Sequence, residues 1–395
     1  MNPADNEKLW NANYLKVWTA NFLLFLSFML LAPLLPLYLN ETFAADKQTI
    51  GLVLSGYTIT ALIIRPFSGY IVDSFQRKQV LLLCYGLFSV FFVGYLVAGT
   101  LMLFTIVRTL HGAPFGATTV ASSTVAIDSL PSSRRAEGIG YYGLSNNLAA
   151  AIGPTIALLL LKYTGSYQLI FVVSTLLAFC GLFINSRLRL PDRPIVKDKQ
   201  VLSFDRFLLT KAWGASIVII CMGFSYGVVS TYVAIYGKEE LDITGGTGVF
   251  FMLLASGLML SRLVGGRSLR KGRITNTAPG GLLISLVGYL LFAAMHSPIG
   301  YYGAAIVIGL GNGHAYPAMQ NIFIGLAPNN KRGTANSTLL ISWDIGMGLG
   351  VLLGGAFSEH FGYHAAFWLA WILNMAGVAT FLGYVRHHFE KNRLY

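Results

Sequence analysis

Shifted by 197 residues, about half its length, the chain falls onto itself. Gly51 meets Gly248, Arg65 meets Arg262, Gly69 meets Gly266, Gly112 meets Gly309, Gly116 meets Gly313, Pro131 meets Pro328, Arg135 meets Arg332, Gly153 meets Gly350 and Gly165 meets Gly362. One constant offset through so many segments marks a duplication, so whatever one copy folds into is built twice. Each copy carries six apolar segments, approximately 17–39, 48–70, 80–98, 101–128, 139–161 and 168–186, then 212–236, 246–264, 275–295, 299–325, 334–357 and 365–385. Most have the ~20-residue length that crosses a bilayer as a helix. Only 11% of the 395 residues are charged, against about 25% in a soluble domain, too few to solvate a water-facing surface. The sequence predicts an all-α membrane protein of twelve transmembrane helices in two pseudo-symmetric six-helix bundles. These are residues 1–186 and 212–395, joined by a charged linker, 187–211, that contains Pro191 and Pro194.

A net charge of +12 would suit a nucleic-acid partner, but the placement of the charge argues otherwise. With a cytoplasmic N-terminus, 22 of the 28 bases fall in inside segments, whereas the outside loops hold Lys47, Lys162 and Lys238 against six acids. The positive-inside rule then puts both termini in the cytoplasm of a multi-pass plasma (inner) membrane protein. The first segment is too long, and its leader too acidic with Asp5 and Glu7, for a cleaved signal peptide, so it is expected to remain as a helix. Cys84, Cys180 and Cys221 stand singly inside apolar runs, a pattern that implies neither disulfides nor a metal cluster. The chain has no Gly-rich phosphate loop ending in Gly-Lys-Ser/Thr, and no cofactor is expected. Gly309-Leu-Gly-Asn-Gly313 lies inside an apolar span with no preceding strand, so it is read as helix packing. Because six is even, each copy starts in the cytoplasm. The copies are therefore parallel repeats, an arrangement of secondary transporters that alternate access to a midplane site.

Three motifs sharpen this. Gly69-Tyr-Ile-Val-Asp73-Ser-Phe-Gln-Arg77-Lys78 follows the second segment, Arg108-Thr-Leu-His-Gly112-Ala-Pro-Phe-Gly116 lies in the fourth and Gly153-Pro154 in the fifth. Together they resemble the signature loop, fourth-helix motif and antiporter motif of the major facilitator superfamily, and are most similar to its twelve-span drug or sugar efflux branch driven by proton antiport. The resemblance covers nearly the whole chain. It implies that Asp73, Arg77 and Asp128 form a charge cluster that latches the inner side, with Arg65, Gly69, Lys78 and Arg262 contributing to gating. Two departures bear on direction and symmetry. Ala149, Ala157 and Leu158 stand where the antiporter motif has glycines, and Arg270 stands at the repeat position of Asp73.

An ionisable group in mid-span costs ~2.5–3.5 kcal/mol on insertion scales, so it is functional or paired by default. Asp344 lies about ten residues into the eleventh segment, or ~15 Å at 1.5 Å per residue, near the middle of a ~30 Å core. Gly346, Gly350 and Gly354 form a small-residue stripe four apart, away from which Asp344 points. Its repeat partner is Asn147, beside Asn146. Proton or substrate binding is read for Asp344, with a structural hydrogen-bonded carboxylate as the alternative. Arg108 either pairs with Asp344 or holds an anionic solute. His314, and less so His111, could carry a proton. Gly153, Pro154 and the glycine stripe are assigned to helix packing.

The expected activity is proton-coupled secondary transport, by export of a small organic solute or drug, from a monomer whose partners are solute, protons and lipid. Proton symport that imports a sugar or other nutrient is the second reading. A non-transporting sensor or scaffold is the remote third, lacking an appended soluble domain. No recurrent catalytic spacing suggests an enzyme.

Overall fold

The computed structural model describes residues 8–32, 34–45, 47–190, 207–243, 247–270 and 274–394. Within these the chain runs through α1 (Ala12–Leu31), α2 (Leu35–Phe43), α3 (Lys47–Ser74), α4 (Arg77–Val97), α5 (Leu101–Asp128), α6 (Arg135–Thr164) and α7 (Tyr167–Ser186). It continues through α8 (Trp213–Glu240), α9 (Thr247–Arg270), α10 (Ile274–Ala294), α11 (Pro298–Leu326), α12 (Arg332–Phe361), α13 (Tyr363–Thr380) and α14 (Arg386–Asn392). A π-helical turn, Phe381–Val385, carries α13 into α14. No strand occurs among the described residues. Most of the expected linker, residues 191–206, lies outside them.

Local chemistry sets the helix ends. The side chains of Asn11, Thr100, Ser166 and Ser297 accept hydrogen bonds from the amides of Tyr14, Leu103, Leu169 and Gly300, satisfying donors that the first turn leaves open. At the other end the duplication is visible in detail. Gly165 and Gly362 follow α6 and α12 with φ of 63° and 83°, a region that favours a residue without Cβ. Their amides donate to Leu161 and Ser358 carbonyls, again 197 residues apart.

The first apolar segment, expected as one helix, is two. α1 stops at Leu31 and α2 begins at Leu35, because Pro36 in the first turn of α2 lacks an amide hydrogen to continue the ladder.

Two compact units divide the chain. One comprises Met1–Arg134, Tyr142–Phe207 and Asn330–Ser337; the other comprises Arg135–Tyr141, Leu208–Asn329 and Thr338–Tyr395. The opening turns of α6 and α12 are thus each grouped with the helices of the opposite repeat. In the first unit, α5 packs on α3 and α4, and α7 on α1 and α4, around buried Tyr85, Phe88, Phe92, Tyr95 and Phe104. In the second, α11 packs on α9 and α10, and α13 on α8 and α10. Phe224, Tyr236, Phe250, Tyr289, Phe292, Tyr301 and Phe367 form its core.

Close approach of α5 to α3 uses Gly112, where a Cβ would run into the Tyr57 carbonyl; Gly309 of α11 meets the Leu254 carbonyl of α9 in the same way. Both residues of each pair are offset by 197, so the contact itself is duplicated. Outward faces of the other helices carry exposed apolar side chains, such as Leu83, Leu87, Val90 and Val97 on α4, as lipid contact requires.

Candidate functional site

At one end of the first unit, four charged side chains meet. Asp73 is the penultimate residue of α3, Arg77 opens α4, Asp128 closes α5 and Arg332 opens α12. Arg77 donates from one guanidinium nitrogen to Asp73 at 3.1 Å and from the other to Asp128. Arg332 donates to the second oxygen of Asp128 at 2.9 Å. Two guanidiniums therefore balance two carboxylates where Arg77 and Asp73 are only 6% and 8% exposed.

Asp73 does more than pair. Its oxygens accept from the Gly333 amide (2.9 Å), the Thr334 amide (2.8 Å) and the Thr334 hydroxyl (3.0 Å). These amides belong to the first turn of α12, where backbone donors have no partner within the helix and the dipole favours an anion. Ser337 donates to the Arg65 carbonyl at 2.5 Å, and Asn336 to the Thr124 hydroxyl at 3.1 Å. Gly69 makes room for this turn, since a Cβ there would stand 2.7 Å from that of Ser337. Arg65 is buried on α3, and Lys78 is half-buried in the first turn of α4. The side chain of Arg262 lies outside the described residues.

Deeper in the same unit, Arg108 is 4% exposed. Its guanidinium carbon sits 4.0 Å from the centroid of the Tyr57 ring and 5.4 Å from that of Phe28, and one nitrogen donates to the Tyr95 hydroxyl at 3.3 Å. Ring faces attract a cation through their quadrupoles. Among the described residues no carboxylate pairs with Arg108, whose guanidinium sits in an aromatic box. Its Nε and the buried Tyr57 hydroxyl lack hydrogen-bond partners among the described residues. The same Tyr95 hydroxyl contacts Nδ1 of fully buried His111 at 2.9 Å. Asn21 of α1 donates to the Ser145 hydroxyl at 2.7 Å and to the Asn146 side-chain oxygen, tying α1 to α6 beside half-buried Asn147.

In the second unit, Asp344 is half-buried on α12. Among the described residues it is the one acid in the middle of a helix of membrane-spanning length. Its neighbour Trp343 packs on Tyr226 of α8 and Tyr316 of α11, with centroids 5.5 and 5.2 Å away. Two residues from Tyr316, His314 contacts the Leu310 carbonyl through Nδ1 at 2.9 Å. A carbonyl only accepts, so Nδ1 carries the hydrogen. Gly346 and Gly350 lie against the Ile220 and Phe224 carbonyls of α8, and Gly354 against Val228. In the first unit, Gly153, beside Pro154 in α6, lies against Met29.

Sequence reasoning missed Arg332 as a cluster member, although its repeat match to Arg135 was in view. It also missed the rings of Tyr57, Tyr95, Tyr226, Tyr316 and Trp343, which carry no signal in a chain whose aromatics are spread over many spans.

Apolar helices long enough to cross a membrane, in two repeats, with a charged cluster that holds the opening turn of α12, define a membrane transporter. The chain belongs to the Major Facilitator Superfamily, whose family model matches residues 17–346 and 272–394. It is a multi-pass membrane protein with the two-bundle fold of that family, and a transporter of small-molecule solutes rather than an enzyme. It is 23% identical over 363 residues to the staphylopine export protein of Staphylococcus aureus, covering 89% of this chain and 90% of that one. It is 24% identical over 400 residues to the multidrug resistance protein MdtG of Escherichia coli, covering 96% and 95%. Among solved structures, the human organic anion transporter MFSD10 superposes with a TM-score of 0.81 at 16% identity, over 96% of this chain and all of that one.

Proposed function

We propose that the chain is a proton-coupled exporter of a small organic solute or drug, an antiporter that works as a monomer in the plasma (inner) membrane with both termini in the cytoplasm. The observation that carries this is Asp344, a titratable carboxylate in the middle of a membrane helix beside an aromatic cluster of Trp343, Tyr226 and Tyr316. A carboxylate there is costly when charged, so its protonation can be traded against solute occupancy. The name of one relative, the staphylopine export protein, supports the direction. Arg108 in its aromatic box supplies positive charge for an anionic group of the solute or holds the proton path's geometry, and Asn146, Asn147 and His314 add polar contacts.

The cluster of Asp73, Arg77, Asp128 and Arg332 acts as the inner latch, made in one transport state and released in the other, with Arg65, Gly69 and Lys78 around it; Arg262, the repeat match of Arg65, is read as a second gating residue. Alternating access needs such a set of contacts, because proton or solute can shift the balance only through unequal affinity for the two states. Import by symport is the second reading, favoured by Ala149, Ala157 and Leu158 in place of the antiporter motif's glycines.

Inverted vesicles containing the purified protein, given an imposed pH gradient and a mixed solute library, test the proposal. Solute accumulating inside as protons leave supports antiport. Accumulation only when solute and proton gradients run the same way would establish symport, and transport indifferent to the pH gradient would sink proton coupling.

A further inference from the structure

Where α1 begins and α5 and α7 end, the first unit holds a cavity of about 900 Å³, within the ~300–1,000 Å³ range of small-ligand sites. Lys16, Lys78, Arg187 and Arg189 line it. The segment after α7 is fixed along α1: Lys16 donates to the Arg187 carbonyl at 2.9 Å, and the Asn13 amide exchanges hydrogen bonds with Arg189, donating at 2.8 Å and accepting at 3.1 Å. These contacts use backbone carbonyls and amides, leaving the basic groups uncompensated. Asp128 also lines the cavity, but its two oxygens are occupied by Arg77 and Arg332. Among the described residues none of the four lining cations has a carboxylate partner.

The cavity adjoins lipid-facing surface. The Arg187 guanidinium lies 4.7 Å from the Phe183 ring centroid, and Phe183 is itself 59% exposed. Phe179 and Phe183 of α7, and Leu83 and Leu87 of α4, stand exposed four residues apart on packed helices. A ligand suited to both surfaces has an anionic phosphate head and apolar chains. Basic pockets between membrane helices are suited to such heads. We propose that this cavity binds the phosphodiester headgroup of an anionic phospholipid, with its acyl chains along the α4 and α7 faces.

Native mass spectrometry of the full chain in detergent, offered equal phosphatidylglycerol and phosphatidylcholine of matched acyl chains, provides the test. Wild type should retain phosphatidylglycerol at least about ten-fold over phosphatidylcholine. At about five-fold per removed cation, Lys16→Gln with Arg189→Gln should erase a ten-fold preference and bring retention of the two lipids to parity, whereas Lys162→Gln, at the far end of α6, should leave it unchanged. Equal retention of the two lipids by wild type, a measurement that needs no variant to fold, would overturn the proposal. So would an unchanged preference in a monodisperse double variant. Displacement of phosphatidylglycerol by an equimolar amount of inorganic phosphate would identify a free-anion site and overturn the lipid assignment. None of these outcomes depends on proton coupling or transport direction.

Discussion

Asp73 accepts from both the backbone amide and the side-chain hydroxyl of Thr334, at 2.8 and 3.0 Å, so one carboxylate ends α3 and starts α12. Asn in its place would keep an acceptor but lose the charge facing Arg77 and the helix dipole. Hydrogen bonds to charged groups contribute about 1.5–3 kcal/mol. Asp73→Asn should therefore raise cytoplasmic-side labelling of a reporter at buried Ser123, as Ser123→Cys in a cysteine-free background, by roughly ten-fold or more. Equal labelling with and without the change would remove Asp73 from the latch.

Asp128 is shared by Arg77 and Arg332, so neutralising Asp128 and Arg332 should not be additive. Groups in one network couple by about 0.5–3 kcal/mol. A cycle of Asp128→Asn, Arg332→Gln and the double change, read by the same labelling, should give coupling in that range. Strict additivity would mean that the two side chains act separately.

Replacing Asp344 with Asn preserves size and hydrogen bonding while removing the titratable proton. Transport driven by a pH gradient should fall to background, with the folded protein still in the membrane. Gradient-driven transport at near wild-type rate and unchanged pH dependence would exclude Asp344 as the proton carrier.

Gly350 lies against the Phe224 carbonyl of α8, so Gly350→Leu must push two backbones apart, and overpacking of this kind costs about 1–3 kcal/mol. Turnover should slow more than equilibrium solute binding weakens. Gly153→Leu, against Met29 of α1, should behave similarly. Normal turnover with weakened binding would make the glycine face part of the solute site.

Apolar segments and a constant repeat offset made the helices legible before any coordinates. α5 spans Leu101–Asp128, the segment bounds expected from hydropathy. The break between α1 and α2 was obscured because its flanks are both apolar, so a hydropathy reading runs across the proline. Asp73, Arg77 and Asp128 were expected as a cluster from the resemblance of their motif to the superfamily's signature loop. Arg332 was hidden by the rule that made it visible: as one of 22 inward bases, it looked like an anchor. Its partner Asp128 lies 204 residues away, and no local pattern reports a contact that distant. The box around Arg108 was hidden for a related reason. Tyr57, Tyr95 and Arg108 lie on three helices, and only packing brings them together.

α5 and α11 are absent from the nine helices apolar enough to qualify as spans by length and composition among the described residues. Every residue of α5 from Val120 to Ile127 is buried, as is every residue of α11 from Pro317 to Leu326, so neither stretch needs to suit lipid and both can carry Ser, Thr, Asn and Gln. That freedom has a consequence for biogenesis. A helix whose polar groups are tolerated only inside its bundle partitions poorly as it leaves the ribosome, before its neighbours surround it. Insertion of α5 then depends on α3 and α4 already waiting at the membrane, and that of α11 on α9 and α10, so each bundle is assembled as a group of helices rather than one span at a time.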